Sequence, residues 1–268
     1  MADKAIALTR EQRWQRYEDL SDHFPVDVVG IETVGNCNRS CGYCPVSMHP
    51  KRQGRLSTEL VHGFFRQLSN LNFSKKLVFH FYNEPLLEKR IFGFVEQASR
   101  IVPRAYRLLT TNGDLLTHDS LLRLLDVGAS AVAVSCHDRE IYDKFTEIRE
   151  NLNQADASRV QLRAFFLVGH DERAPKVTNR AGSIDVSSYR SEEEFEAGAS
   201  GCDRVEFYVD YLGNVHPCCM DFSGGYVIGN IHDERIIDIW RRAVPQYRDH
   251  FVGNYKREVC RKCANVSS

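Results

Sequence analysis

At 268 residues, with 35 Lys and Arg against 36 Asp and Glu and a net charge of −1, the chain is long enough for a large α/β unit with a small appendage and offers no global field for nucleic acid or an acidic membrane. No apolar run approaches the roughly 20 residues that span a bilayer, and the N-terminus lacks a secretory pattern. A cytoplasmic protein whose partner is a small molecule or another protein is expected.

Thr9-Arg10-Glu11-Gln12 has capping-box spacing and predicts a helix from about Arg10 to Leu20, a lead-in within residues 1–25. Val26 to Val34 is β-branched and predicts the first strand. Helical periodicity then alternates with short apolar runs. Leu60, Val61, Phe64, Phe65 and Leu68 precede a strand at Leu77 to Phe81, and Ile91, Phe92, Val95 and Ala98 precede one near Tyr106 to Thr110. Leu121, Leu122 and Leu125 precede Ala131 to Ser135. Asp138 is placed to cap a helix carrying Ile141, Tyr142, Phe145 and Ile148, followed by Val160 to Val168.

Such alternation predicts a parallel sheet of about six strands with crossover helices, a partial (β/α)6 barrel over residues 26–170 with its site at the strand C-termini. Residues 171–200 are polar and read as a linker. Over 201–268, Val205 to Tyr211 and Val215 to Cys218 flank Leu212-Gly213-Asn214 as a hairpin, and Ile236, Ile237, Ile239 and Trp240 mark a helix.

Nine cysteines, odd in number and unevenly clustered, fit a disulfide framework poorly and in a reducing compartment point to metal. Cys37, Cys41 and Cys44 stand on the loop after the first strand. Thiolates suit zinc or iron-sulfur clusters. A structural zinc site wants four protein ligands, so three thiols point to an iron left open; a zinc loop completed by a distant ligand such as His49 is the alternative.

Cys37-Asn38-Arg39-Ser40-Cys41-Gly42-Tyr43-Cys44 is similar to the CxxxCxφC signature of the radical S-adenosylmethionine (SAM) superfamily, with Tyr43 as the aromatic φ residue. The resemblance implies that Cys37, Cys41 and Cys44 bind three irons of a 4Fe-4S cluster and that SAM chelates the fourth. Cleavage of SAM then gives methionine and a 5′-deoxyadenosyl radical. His80-Phe81-Tyr82-Asn83-Glu84-Pro85 resembles the family's GGEP-like segment, with Tyr82 and Asn83 where the family has glycines. It makes Asn83 and Glu84 SAM-binding candidates. Thr110-Thr111-Asn112-Gly113 resembles the turn near the SAM ribose, which adds Thr111 and Asn112. Ser135 and, for the SAM carboxylate, Arg163 complete the implied cofactor site with Tyr43.

Cys202, Cys218, Cys219, Cys260 and Cys263 form a second group, with a CxxC pair at its end. Cys202, Cys218, Cys260 and Cys263 are four thiolates, chemically suited to zinc or to a 4Fe-4S cluster. The segment from Tyr211 to Cys219 and the helix ending at Trp240 resemble the auxiliary-cluster region of SPASM and twitch radical SAM proteins. That implies a small twitch-type domain with one auxiliary 4Fe-4S cluster, two clusters in total. Cys219, on the opposite strand face from Cys218, is a buried thiol or one that reaches the substrate. Cys136 has the same two readings.

Among twitch proteins the likeness is to carbohydrate and aminocyclitol enzymes. It implies a carbohydrate-like small-molecule substrate, two-electron oxidation of a secondary alcohol, and a reductant such as flavodoxin or ferredoxin. His137, Arg180 and Asp221 are candidates for binding hydroxyls or moving the proton. The alternatives are epimerisation with Cys219 returning hydrogen, modification of a small peptide, and a non-enzymatic zinc or iron-sulfur scaffold.

Overall fold

The computed structural model describes residues 9, 11, 12, 14, 15, 24–48, 52–171, 174–185, 187, 188, 205–252 and 258–263. Strands β1 (Val28–Ile31), β2 (Lys76–Val78), β3 (Tyr106–Thr111), β4 (Ala131–Cys136) and β5 (Val160–Ala164) pair in parallel in chain order. Helices α1 (Thr58–Asn70), α2 (Ile91–Ile101), α3 (His118–Asp126), α4 (Arg139–Glu150) and the short α5 (Gln154–Ala157) make the crossovers.

Each long crossover helix but α2 starts on a side-chain cap. Ser57 accepts from Leu60 N, Thr117 forms a capping box with Ser120, and Asp138 accepts from Ile141 N as its position implied. Thr9 and Gln12 make the reciprocal bonds of the N-terminal capping box at 2.9 and 3.2 Å. Most of the helix predicted there lies outside the described residues.

About six parallel strands are expected within residues 26–170; five lie there, and the sixth comes from the region after residue 200. Strand β6 (Glu206–Val209) pairs in parallel with β1, on the side opposite β2, and β7 (Asn214–His216) and β8 (Gly229–Asn230) follow as antiparallel neighbours. The predicted hairpin therefore continues the main sheet. Four strand–helix steps and then β5 precede it among the described residues, and the region read as an auxiliary unit shares its hydrogen bonds with β1. The seam is close: a Cβ on Gly30 would stand 2.1 Å from the Tyr208 ring. Helices α6 (Ile236–Phe251) and α7 (Glu258–Arg261) complete the chain.

Alternate strand residues separate into two apolar clusters, as a period of two requires. Val29, Ile31, Leu77, Leu109, Val132 and Val134 pack under the helices in the main core. Val28, Val78, Leu108, Ala131, Ala133 and Tyr208 form a smaller cluster on the inner face, with Phe81 and Cys219 packed against it. Short side chains on that face leave room for a cavity.

Candidate active site

The cysteine loop leaves β1 and is tied to the ends of its neighbours. Glu84 N–H donates to the Asn36 carbonyl at 3.0 Å. Arg39 grips Asp114 after β3, with Nε to Oδ2 at 2.7 Å, and reaches Asp138 after β4 at 2.8 Å. Asn112 Nδ2 donates to Asn38 Oδ1 at 2.7 Å. The Asn-Gly turn and the helix cap thus also hold the loop that bears the thiols.

These strand ends enclose a cavity of about 160 Å³. Cys37, Cys41 and Cys44 line it together with Tyr43, Asn83, Glu84, Thr111, Asn112 and Ser135, and His137 and Arg180 reach the same space. Arg163 is level with Ser135 across the β4–β5 pair but lines a neighbouring cavity at the β5 edge. The three flat rings of Tyr43, His137 and Phe165 stack along one wall, with centroids 5.4 to 5.9 Å apart.

Glu84 is 2% exposed and its carboxylate is already engaged. Oε1 accepts from the Thr111 hydroxyl at 2.7 Å and Leu86 N–H at 3.0 Å, and Oε2 accepts from Asn112 N–H at 2.8 Å. Burial raises its pKa against these bonds. One lone-pair direction on Oε2 remains for a ligand.

The thiols suit a group that binds thiolates. Burial is the largest cause that pushes the Cys41 thiol up, to about 11, and negative charge on Cys44 and Cys37 adds to it. Cys37 is raised for the same reason, with Glu84 and Cys44 contributing. Arg39, the cation beside them, is taken by Asp114 and Asp138. An iron cluster would supply the missing positive charge, and all three thiols open onto one cavity. Among the described residues, no three His, Cys, Asp or Glu side chains converge on the position of a single ion.

Of the residues expected to handle substrate, the structure brings some to the cavity and removes others. His137 sets Nδ1 against the Tyr43 hydroxyl and lies 3.6 Å from Cys41 Sγ. Burial is the main reason its pKa falls to about 4. Arg180 is mostly buried, with its guanidinium over the Tyr82 ring at 5.7 Å and Nη1 3.6 Å from Met220 Sδ. No carboxylate pairs with it among the described residues. Its backbone (φ 46°) and that of Ala181 (φ 53°) are left-handed, strain of the kind that collects at functional sites.

Asp221 corrects the expectation. It is fully buried away from the cavity and accepts from Tyr226 N–H at 2.8 Å and Gly225 N–H at 2.9 Å, with His216 Nδ1 3.2 Å away. Burial opposes charge on His216, but Asp210 and Asp221 hold its pKa up at about 9. Asp221 therefore braces the hairpin. Cys136 is likewise removed from any hydrogen-donor role, because β4 turns it into the main core while Ser135 faces the cavity.

The second cysteine group meets the first site through Tyr82, whose hydroxyl donates to the Cys219 carbonyl at 2.8 Å. Cys218 Sγ accepts from Met220 N–H at 3.3 Å, while Cys219 packs on the inner face. Cys260 and Cys263 are buried around α7, whose Val259 approaches Gly225. Cys202 and His49 lie outside the described residues.

Sequence reading passed over Glu32 and Arg52. Arg52 grips the wholly buried Glu32 with two bonds, 2.9 and 2.6 Å, and lies 4.6 Å over the Tyr211 ring. The only signal was an acidic residue, Glu32, set in the apolar run from Val28 to Val34.

A family model for the radical SAM superfamily matches residues 31–163, and one for the SPASM iron-sulfur cluster-binding domain matches residues 202–264. The S-adenosyl-L-methionine-dependent 2-deoxy-scyllo-inosamine dehydrogenase of Niallia circulans is 32% identical over 244 residues, which cover 90% of this chain and 93% of that protein. The crystal structure of BtrN in complex with AdoMet and 2-DOIA is 31% identical, with a TM-score of 0.76 over 92% of this chain and 96% of that one. BtrN in an open conformation gives 27% identity and a TM-score of 0.60 over 89% and 92%.

Proposed function

Because this chain belongs to the radical SAM superfamily and ends in an iron-sulfur cluster-binding domain of the SPASM type, we propose that it oxidises a secondary alcohol on a small aminocyclitol or carbohydrate to a ketone. It is an oxidoreductase whose cofactors are SAM and 4Fe-4S clusters. Cys37, Cys41 and Cys44 are the proposed ligands of the SAM-binding cluster, and Cys202, Cys218, Cys260 and Cys263 those of the second. When bound, these groups supply abstraction of a hydrogen atom from carbon and an acceptor for the second electron. Flavodoxin or ferredoxin is the proposed source of the initiating electron.

The observation that carries the substrate reading is Arg180, a mostly buried guanidinium on the wall of the cysteine-lined cavity with no carboxylate partner among the described residues. Burial works against its charge, yet Tyr82 and Cys219 strengthen its hold on the proton. It therefore remains a donor. A neutral polyol satisfies it through hydroxyl oxygens, and the bound oxygen is fixed relative to the thiols. Asn83, Glu84, Thr111, Asn112, Ser135 and Tyr43 are the proposed contacts of SAM at the rim, with Arg163 beside them at the β5 edge. His137 supports the SAM side, since its Nδ1 faces Tyr43.

The test is anaerobic reconstitution followed by incubation with SAM, reductant and 2-deoxy-scyllo-inosamine, the substrate in the name of the relative. A ketone formed together with 5′-deoxyadenosine is expected. Consumption of substrate without a carbonyl product would sink the reading. One observation favours a second reading, epimerisation: Cys219 packs on the inner face of the sheet and lies near Arg180. Solvent deuterium in a product of unchanged oxidation state would support it.

A further inference from the structure

Two polar side chains on the inner face, those of His80 and Thr110, have no hydrogen-bond partner among the described residues. His80 Nδ1 and Thr110 Oγ1 are buried without a hydrogen bond, and both residues line the cysteine cavity. The β2–β3 register pairs Val78 with Leu108, and Phe79 N–H bonds the Leu108 carbonyl, so His80 and Thr110 stand level on adjacent strands. Buried polar groups in native proteins are almost always satisfied by something, protein, water or ligand.

Their position separates them from the proposed SAM contacts. Glu84 and Asn112 lie farther toward the rim along the same two segments. Below the rim the surroundings are apolar: Val78, Leu108 and Ala133 of the inner cluster, with the Phe81 ring packed against Tyr208 at 5.0 Å. Burial, then the charges of Arg163 and Arg180, lower the His80 pKa to about 4, so its ring is neutral and offers one donor and one acceptor. The same two guanidiniums disfavour the sulfonium and ammonium of SAM at this depth. They leave hydroxyl oxygens welcome.

We propose that His80 and Thr110 form a hydroxyl-recognition pair for the substrate. Two neighbouring hydroxyls of a ring polyol dock on the pair, its C–H face rests on Phe81 and Ala133, and Arg180 holds a further oxygen. Any amino group on the ring points away from Arg163 and Arg180. This deepens the alcohol-oxidation reading and rests on it. Both residues are positioning residues, because they fix which carbon faces the rim.

The experiment compares reconstituted wild type with Thr110→Val, Thr110→Ser, His80→Leu and His80→Gln, using 2-deoxy-scyllo-inosamine as probe. KM, kcat, SAM affinity, iron content and the ratio of 5′-deoxyadenosine to ketone are measured for each. Thr110→Val and His80→Leu are expected to raise KM roughly tenfold and the uncoupled ratio with it. Thr110→Ser and His80→Gln stay within about threefold of wild type, and SAM affinity and iron are unchanged throughout. Should His80→Leu fail to fold, the near-isosteric Thr110→Val carries the comparison alone. Unchanged KM in Thr110→Val means that water satisfies the pair and overturns the proposal. A parallel loss of SAM affinity assigns the pair to SAM and also overturns it. Failure of wild type to oxidise the probe is a separate result, which removes the alcohol-oxidation reading and the pair's role with it.

Discussion

The Thr111 hydroxyl donates to Glu84 Oε1 at 2.7 Å, and the next backbone N–H, that of Asn112, donates to Oε2 at 2.8 Å. Two motifs from different strands are thereby one rigid piece at the cavity rim. Glu84→Gln places an amide N–H₂ opposite one of these donors. A stability loss of roughly 1–3 kcal/mol is expected in urea titration, with weaker SAM binding by equilibrium dialysis. Unchanged values for both would show that the two strand ends hold together without the carboxylate.

Glu32 gives the pH dependence. Burial is the largest influence on its carboxyl and raises its pKa to about 7 against the pull of Arg52. An unfolded glutamate releases its proton near about 4.3. Between those values the folded chain binds the extra proton, so this group's contribution to stability falls as pH rises. Arg52→Met leaves the carboxylate unpaired, and a loss of roughly 3 kcal/mol is expected at pH 8. At pH 5 the protonated carboxyl needs the guanidinium less, so the loss is smaller. Equal losses at the two pH values, by denaturant unfolding, would contradict the assignment.

Metal removal separates the two cysteine groups. Cys37→Ala is expected to abolish 5′-deoxyadenosine formation, whereas Cys263→Ala keeps it and loses ketone. Each variant falls from about eight to about four irons per chain. Ketone production at the wild-type rate by Cys263→Ala would exclude a second cluster as electron acceptor.

Gly30 tests the seam between β1 and β6. A methyl group there meets the Tyr208 ring at 2.1 Å and forces it aside. Gly30→Ala should cost about 2 kcal/mol in unfolding and raise the KM for substrate, since Tyr208 backs Phe81 at the cavity floor. Wild-type stability would mean that the ring moves freely.

Much of this was readable in one dimension. Three cysteines within eight residues, the Glu-Pro and Asn-Gly turns after successive strands, and the alternating periodicity all report local requirements: ligand spacing, backbone φ, and which face is apolar. Asp138 was legible as a cap because capping involves a few adjacent residues. Its bond to Arg39 was not, since the partners are 99 positions apart.

Sequence by itself determined the cluster chemistry, the strand–helix alternation and the family, because those depend on residue type and short spacing. Tertiary structure alone decided that β6 joins β1, that His216 and backbone amides capture Asp221, and that Arg180 reaches the cavity. It also left His80 and Thr110 on the cavity wall without hydrogen-bond partners among the described residues. The physical reason is shared: which polar group is satisfied depends on what the fold brings within about 3 Å, and chain distance does not encode that.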